Sequence, residues 1–186
     1  VVFVNINRLN LILNTPFNMN NSVSKASLAF LNKLRENNHK DWMQEHKKQY
    51  QASEVSLKGL YGEILKGVSV LDKIEKQKIF RINRDVRFSK NKTPYNSHRS
   101  VSWSRLGAHR RGSYYLRIEP GRCAIGGGFF GPEPKDLLRI RKEFEMDSDE
   151  IRAILDQNNF KKFYKNFNQS YVVKTAPKGF SKEDPN

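Results

Sequence analysis

At 186 residues, with 37% apolar and 11% aromatic residues, the chain can bury a hydrophobic core, and its composition excludes the disordered class. The single cysteine, Cys123, excludes an internal disulfide and predicts a reducing, cytoplasmic location. No apolar run approaches the roughly 18 residues of a membrane helix. The formal net charge of +15 favours anionic partners and not a membrane interior.

Residues 1–18 contain five asparagines and Arg8, and they lack the basic start and apolar block of a signal peptide. Met19 begins a more ordinary protein start. We therefore predict a poorly ordered extension or a misplaced start over residues 1–18, followed by one domain over 19–186.

The first half of that domain is predicted to be helical. Ser24 is a suitable N-cap for a helix ending near Glu36. From Lys40 to Val68, apolar residues recur at spacings of three, four and seven, which predicts one long amphipathic helix or two shorter ones.

The middle of the chain is predicted to form strands, and the last part is again helical. β-branched and aromatic residues bounded by turn signals mark four segments, over residues 79–88, 99–104, 113–119 and 122–130. Helical spacing returns after Pro134, and a last strand is expected at 171–175. The predicted class is α+β: N-terminal helices, a central and mostly antiparallel sheet, and C-terminal helices in a single domain.

Positive charge is concentrated in the strand region. Between Lys76 and Arg122 there are thirteen Lys or Arg residues against two acids, Asp85 and Glu119. This density favours phosphorylated small molecules or nucleic acid as partners. The aromatic residues within it could stack on nucleobases: Trp103, Tyr114 and Tyr115.

The most informative stretch is Phe80–Phe88. Interpreted as a strand, it places apolar residues on one face and Arg81, Asn83, Asp85 and Arg87 on the other. Arg84 falls on the apolar face, so it needs a carboxylate or several carbonyls as partners, unless a bulge turns it outward.

The following loop, Ser89–His98, adds lysines, hydroxyls, a phenol and an imidazole. Arginine forks and mobile lysine charges are what recognition of a phosphate or carboxylate requires. The alternative is a salt-bridged edge strand followed by a solvated loop, without a ligand.

The spacing of these residues is similar to the signature of a bacterial and fungal family catalogued as domain of unknown function 2461. The matching pattern is Arg81-x-x-Arg84-Asp85-x-Arg87-Phe88-x-x-x-Lys92-x-x-Tyr95. Three further matches agree in order: Asn37-Asn38-x-x-Asp41-Trp42, Gly126-Gly127-Gly128, and Pro177-Lys178-Gly179-Phe180. The resemblance implies no established activity. It also implies aspartate at the position of Asn91 and several tens of residues beyond Asn186, hence an apparent C-terminal truncation.

These observations lead to a hypothesis of anionic small-molecule binding, with the question of catalysis left open. Asp85, Tyr95 and His98 are the candidate catalytic or polar groups, and the candidate ligand-binding residues are Arg81, Arg84, Arg87 and Lys92. A nucleic-acid-binding module and a ligand-free interaction domain are the alternatives. No metal site or cofactor is predicted, since the four histidines and Cys123 lack metal-ligand spacing. The sequence leaves the oligomeric state open.

Overall fold

The computed structural model describes residues 2–5, 22–107, 111–164, 175–181 and 183. The chain divides into two compact units, one of Asn5–Gly127 and one of Val1–Val4 with Gly128–Asn186. The single-domain organisation predicted for residues 19–186 stays a prediction. Within the expected extension, the structure describes a strand, β1 (Val2–Asn5).

Three helices begin the larger unit: α1 (Lys25–Glu36), α2 (Lys40–Glu45) and α3 (Lys47–Leu71). The predicted cap is confirmed, because Ser24 Oγ accepts a hydrogen bond from the Ser27 amide at 3.1 Å. The predicted helical region after Lys40 divides into α2 and α3, the second of the two alternatives.

The same unit contains β2 (Ile74–Ile79), β3 (Arg99–Arg105), β4 (Ser113–Ile118) and β5 (Ala124–Gly128). These strands neighbour one another in the order β5-β4-β3-β2 in an antiparallel arrangement. The α+β class, with helices on either side of the sheet in sequence, is therefore confirmed.

The register of β2, β3 and β4 sorts their residues onto two faces. Gln77 pairs with Trp103, which pairs with Tyr114, and this row belongs to the face that contributes to the core. Lys78 pairs with Ser102, which pairs with Tyr115, and this row belongs to the opposite face because side chains alternate along a strand.

The core is built from the first face of the sheet and the three helices. Trp103 is only 1% exposed; its ring meets Tyr61 of α3 edge to face, with centroids 6.4 Å apart. Its indole nitrogen donates to Gln77 Oε1 at 2.7 Å. The other buried apolar residues of this core are Phe30, Leu31, Leu34, Trp42, Met43, Leu57, Ile82, Val101, Leu116 and Ile118.

The smaller unit contains α4 (Pro134–Met146), α5 (Asp149–Asp156) and α6 (Asn158–Tyr164). These helices confirm the predicted return to helical spacing after Pro134. Most of the strand expected at 171–175 lies outside the described residues. None of the helices in the described ranges combines the length and apolar content that a membrane crossing requires.

Candidate functional site

The segment that joins β2 to β3, residues 80–98, folds back on itself as a long loop. Asn83 and Tyr95 form an antiparallel bridge at its centre. Two more backbone hydrogen bonds close the loop: Arg84 N to Pro94 O at 2.8 Å, and Asn96 N to Ile82 O at 2.7 Å. The signature residues therefore lie on a loop with a defined shape.

The strand predicted over residues 79–88 is wrong, because β2 ends at Ile79. Ile82 is buried as expected, but Phe88, expected on the same apolar face, is 97% exposed. Alternation predicts a strand only where a neighbouring strand continues the pairing, and here the loop pairs with itself. The polar row expected along one strand face does not form.

Arg84 is half-buried and is held by neutral oxygens of its own loop. One guanidinium nitrogen, Nη1, donates to the Thr93 carbonyl at 2.9 Å and also to the Thr93 hydroxyl; the other, Nη2, donates to Ser89 Oγ at 3.3 Å. Neither an outward bulge nor an ion pair explains the residue. Of the partners predicted for it, the carbonyl is the one found. Arg84 thus fixes the shape of the loop.

Three other signature residues form an exposed rim. Arg87 Nη2 lies 2.6 Å from Asp85 Oδ2, and the Arg87 amide donates to Asp85 Oδ1 at 3.2 Å. Hydrogen bonds from Arg87 lower the pKa of Asp85, and the same pairing raises the pKa of Arg87. Lys92 Nζ lies 3.0 Å from the carbonyl of Val86. The rim is thus partly neutralised within the loop.

Tyr95 is anchored through its backbone to the turn between α1 and α2. Asn38 Oδ1 accepts from the Tyr95 amide at 3.0 Å, and Asn38 Nδ2 donates to the Tyr95 carbonyl at 2.9 Å. The Tyr95 side chain packs against the core. Asn38 and Tyr95 both belong to the motifs that carry the family resemblance, and this contact gives them a shared structural role.

A buried ion pair that the sequence analysis missed supports the start of the loop. Arg99, at the beginning of β3 and 3% exposed, lies with its Nε 2.6 Å from Glu54 Oε1 of α3, and its Nη2 donates to Oε2 at 2.8 Å. Its Nη1 donates to the Phe80 carbonyl at 2.7 Å. No local signal reveals this pair, because 45 residues separate its members.

A cavity of about 530 Å³ opens between this ion pair and the loop. Four cationic side chains and one carboxylate line it: Lys78, Arg81, Arg84, Arg99 and Asp85. Arg81 is exposed, and among the described residues no carboxylate lies within ion-pair distance of its guanidinium. The remaining lining residues are Ile79, Phe80, Asn83, Asn96, His98, Ser100 and Tyr115.

His98 is the imidazole of the cavity and is kept neutral. Burial, together with the nearby positive charges of Arg117 and Arg99, lowers its pKa to about 4, while Glu119 acts in the opposite direction. Arg117 Nη2 lies 2.6 Å from Glu119 Oε2, although the two groups are not aligned as a hydrogen bond. A neutral imidazole offers one nitrogen donor and one nitrogen acceptor.

The cavity thus gathers part of the residue set expected from the sequence. Of the expected residues, its lining includes Arg81, Arg84, Asp85 and His98 and omits Arg87, Lys92 and Tyr95. The sequence analysis did not identify Lys78 and Arg99 as site residues. The register of β2 with β3 brings both of them beside the loop.

Two of the aromatic residues considered for nucleobase stacking have other contacts. Trp103 is in the core, where no base can reach it. Tyr114 is on the core side of β4 and donates its hydroxyl to Asp72 Oδ2 at 2.9 Å. Tyr115, one residue further along, lines the cavity. The described part of the chain contains no group of three or more His, Cys, Asp or Glu side chains placed to hold a metal ion.

Comparison with known proteins gives a family and no activity. The comparisons with curated proteins and with solved structures found no match. A family model described as "Conserved hypothetical protein (DUF2461)" matches residues 26–186, most of the chain. The family resemblance inferred from the sequence is thereby confirmed, and the chain belongs to this family of conserved hypothetical proteins.

Proposed function

We propose that the protein binds an anionic small molecule, bearing a phosphate or a carboxylate, in the cavity beside the Arg81–Tyr95 segment. The observation that carries the proposal is the positive surplus of the lining. Glu54 neutralises Arg99 and Arg87 neutralises Asp85, which leaves Lys78, Arg81 and Arg84 without a paired carboxylate among the described residues. An arginine at the mouth of a concave site is suited to grip a planar or tetrahedral oxyanion by two parallel hydrogen bonds.

The cationic residues of the cavity divide into fixed and mobile groups. Arg84 and Arg99 are held by the Thr93 carbonyl and by Glu54. Arg84 therefore contributes a positive charge at a fixed position, whereas Glu54 offsets the charge of Arg99. Arg81 and Lys78 have no such anchors and are the groups that we assign to direct contact with the anion. A preorganised field costs little reorganisation when the ligand enters.

The acid and base candidates have different places in this proposal. His98, neutral and at the cavity wall, is suited to exchange a hydrogen bond with the ligand, and its lowered pKa disfavours uptake of a proton. Asp85 orients Arg87 and limits the positive charge at the rim. Tyr95 positions the loop through its backbone. The proposal is one of binding, and it assigns no reaction.

The test is titration of the folded protein at low salt with inorganic phosphate, sulfate and citrate, followed by calorimetry. We expect Arg81→Ala to weaken binding by about 10- to 100-fold, the range for loss of a hydrogen bond between charged groups. The matched control is Arg122→Ala, an exposed arginine of the same unit outside the cavity. Equal losses in both variants, or no loss in Arg81→Ala, would contradict the proposal.

Nucleic-acid binding is a second candidate, favoured by the thirteen basic residues between Lys76 and Arg122. It predicts affinity for short RNA or DNA that falls steeply between two salt concentrations, because condensed counterions are released on binding. Oligonucleotide binding that Arg122→Ala weakens as much as Arg81→Ala, with no binding of small anions, would support it. Absence of both kinds of binding would leave the ligand-free interaction domain.

A further inference from the structure

The cavity lining contains an aromatic pair that anion binding alone does not require. Phe80 and Tyr115 meet edge to face, with ring centroids 6.1 Å apart, and both line the cavity. Phe80 is 36% exposed, which is a large exposed area for a phenylalanine beside a polar site. The faces of these rings are negative and attract no oxyanion, so the pair indicates a second recognition element.

The register of the sheet explains how the two rings meet. The Phe80 amide donates to the Ser100 carbonyl at 3.0 Å, and Tyr115 pairs with Ser102, so the rings come from opposite sides of β3. Strands separated by one intervening strand lie roughly 9–10 Å apart. The rings can meet because the residues of β3 between them are serines, Ser100 and Ser102, whose short side chains let the rings approach each other above the strand.

A lysine side chain lies over one ring of this aromatic pair. Lys78 Nζ lies 5.1 Å from the centroid of the Phe80 ring. A cation over an exposed aromatic ring is held weakly. A flat, uncharged group could therefore replace the ammonium over Phe80, and the released Lys78 would be free to meet an anion beside Arg81.

The lining also offers paired donors and acceptors. Asn83, Asn96 and Ser100 are among the lining residues, and Asn83 is the exposed amide of the set, since Asn96 Nδ2 donates to the Arg81 carbonyl at 3.3 Å. An amide presents both a carbonyl and an amino group, which matches the mixed donor and acceptor pattern at the edge of a heterocyclic base. The volume of about 530 Å³ is within the range of small-molecule sites and much larger than a lone phosphate needs.

From this arrangement we infer that the anionic ligand is a mononucleotide, with its base against Phe80 and Tyr115 and its phosphate at Arg81 and Lys78. The inference rests on the proposed function, because it names the ligand class of the same cavity. It adds a distinct requirement: affinity must depend on the base as well as on the phosphate.

The test compares ligands that differ by one part. Calorimetric titrations would use inorganic phosphate, ribose 5-phosphate, the four ribonucleoside monophosphates and the corresponding nucleosides. We expect at least one monophosphate to bind about fivefold to 100-fold tighter than ribose 5-phosphate, the range for one base stacked on an aromatic side chain. Nucleosides, lacking the phosphate, are expected to bind more weakly than their monophosphates.

Single substitutions test whether Phe80 is responsible for the preference for a monophosphate over ribose 5-phosphate. Phe80→Leu should remove most of the preference for the monophosphate over ribose 5-phosphate and leave ribose 5-phosphate binding within about twofold. Phe88→Leu is the matched control, since Phe88 is 97% exposed and does not line the cavity. Phe80→Tyr should retain the preference, and it serves as a folded comparison if the leucine variant is unstable.

The outcomes separate this inference from the proposed function. If ribose 5-phosphate and every monophosphate bind equally, with a loss in Arg81→Ala, the mononucleotide inference fails and anion binding stands. If Phe80→Leu and Phe88→Leu change the preference equally, the inference also fails. If citrate or sulfate binds and no phosphorylated ligand does, the mononucleotide inference fails and anion binding stands. If inorganic phosphate, sulfate, citrate and every phosphorylated ligand fail to bind, both fail.

Discussion

The anchored base of the cavity, formed by Arg84 and Arg99, and the exposed rim of the loop beside it place arginine in different roles. At the base, Arg99 is buried against Glu54, and Arg84 is held by the Thr93 carbonyl. At the rim, Arg87 pairs with Asp85 in water. An arginine in the sequence is therefore not in itself a ligand-binding group: its role depends on which carboxylate or carbonyl the fold brings to it.

The largest expected effect is on stability, and it concerns the buried Arg99–Glu54 ion pair at the base of the cavity. Glu54→Gln leaves the Arg99 guanidinium without its counter-charge in a buried position, so we expect the free energy of unfolding to fall by about 3–5 kcal/mol, measured by urea denaturation. The matched control is Glu63→Gln on the same helix. Its partner Lys66 is largely exposed, and the loss should stay below about 1 kcal/mol.

Replacing both members of the Arg99–Glu54 pair tests whether the stability loss comes from an unpaired buried charge. The double variant Glu54→Leu with Arg99→Met removes both charges together and should recover part of the stability lost in Glu54→Gln, since no unpaired charge is left buried. Equal stability losses in Glu54→Gln and Glu63→Gln would show that the Arg99–Glu54 pair is not what anchors the cavity.

The sequence predicted the features that depend on local pattern. Helical spacing located α1 and α3, and Ser24 was identified as a cap because capping needs only a short side chain near the next amides. For Arg84 the pattern left two alternatives, an outward bulge or inward partners, and of the partners named a carbonyl is the one found. The strand prediction for residues 80–88 failed because alternation carries no information about whether a partner strand continues.

Contacts between distant parts of the chain could not be predicted from the sequence. Arg99 and Glu54 are 45 residues apart, and Asn38 and Tyr95 are 57 apart. Each pair involves common residue types with no spacing rule that could link them. Lys78 and Arg99 were not identified as site residues for the same reason: their place beside the loop depends on how β2 aligns with β3.

An effect of intermediate size is expected on the pH dependence of stability, and it concerns the imidazole of His98 at the cavity wall. In the folded protein the pKa of His98 is lowered to about 4, whereas in the unfolded chain it has its usual value of about 6.5. As the pH decreases, the unfolded chain therefore binds this proton first. Stability should therefore fall as the pH decreases from about 6.5 to 4. In His98→Gln, the midpoint of thermal unfolding should decrease less between pH 7 and pH 5 than in the unmodified protein. Parallel pH profiles for the two proteins would contradict this assignment.

The smallest expected effect is that of a substitution at the exposed rim, where Asp85 pairs with Arg87. Asp85→Asn removes the partner of Arg87 in an exposed position, so the urea midpoint should not change measurably. If the proposed anion site is correct, sulfate affinity should rise about two- to fivefold, because one negative charge leaves the cavity lining. The control is Asp156→Asn, another exposed ion-pair member that lies outside the cavity, with no expected change in affinity.

The contact between Asn38 and the Tyr95 backbone has a consequence for how the site is made. Closing it joins residues 57 positions apart, which is costly in chain entropy until the helices have docked on the sheet. A synthetic peptide spanning only the signature would contain its arginines and lysine without the walls that surround them. We therefore expect the cavity to form only when the helical turn at Asn38 is in place beside the loop.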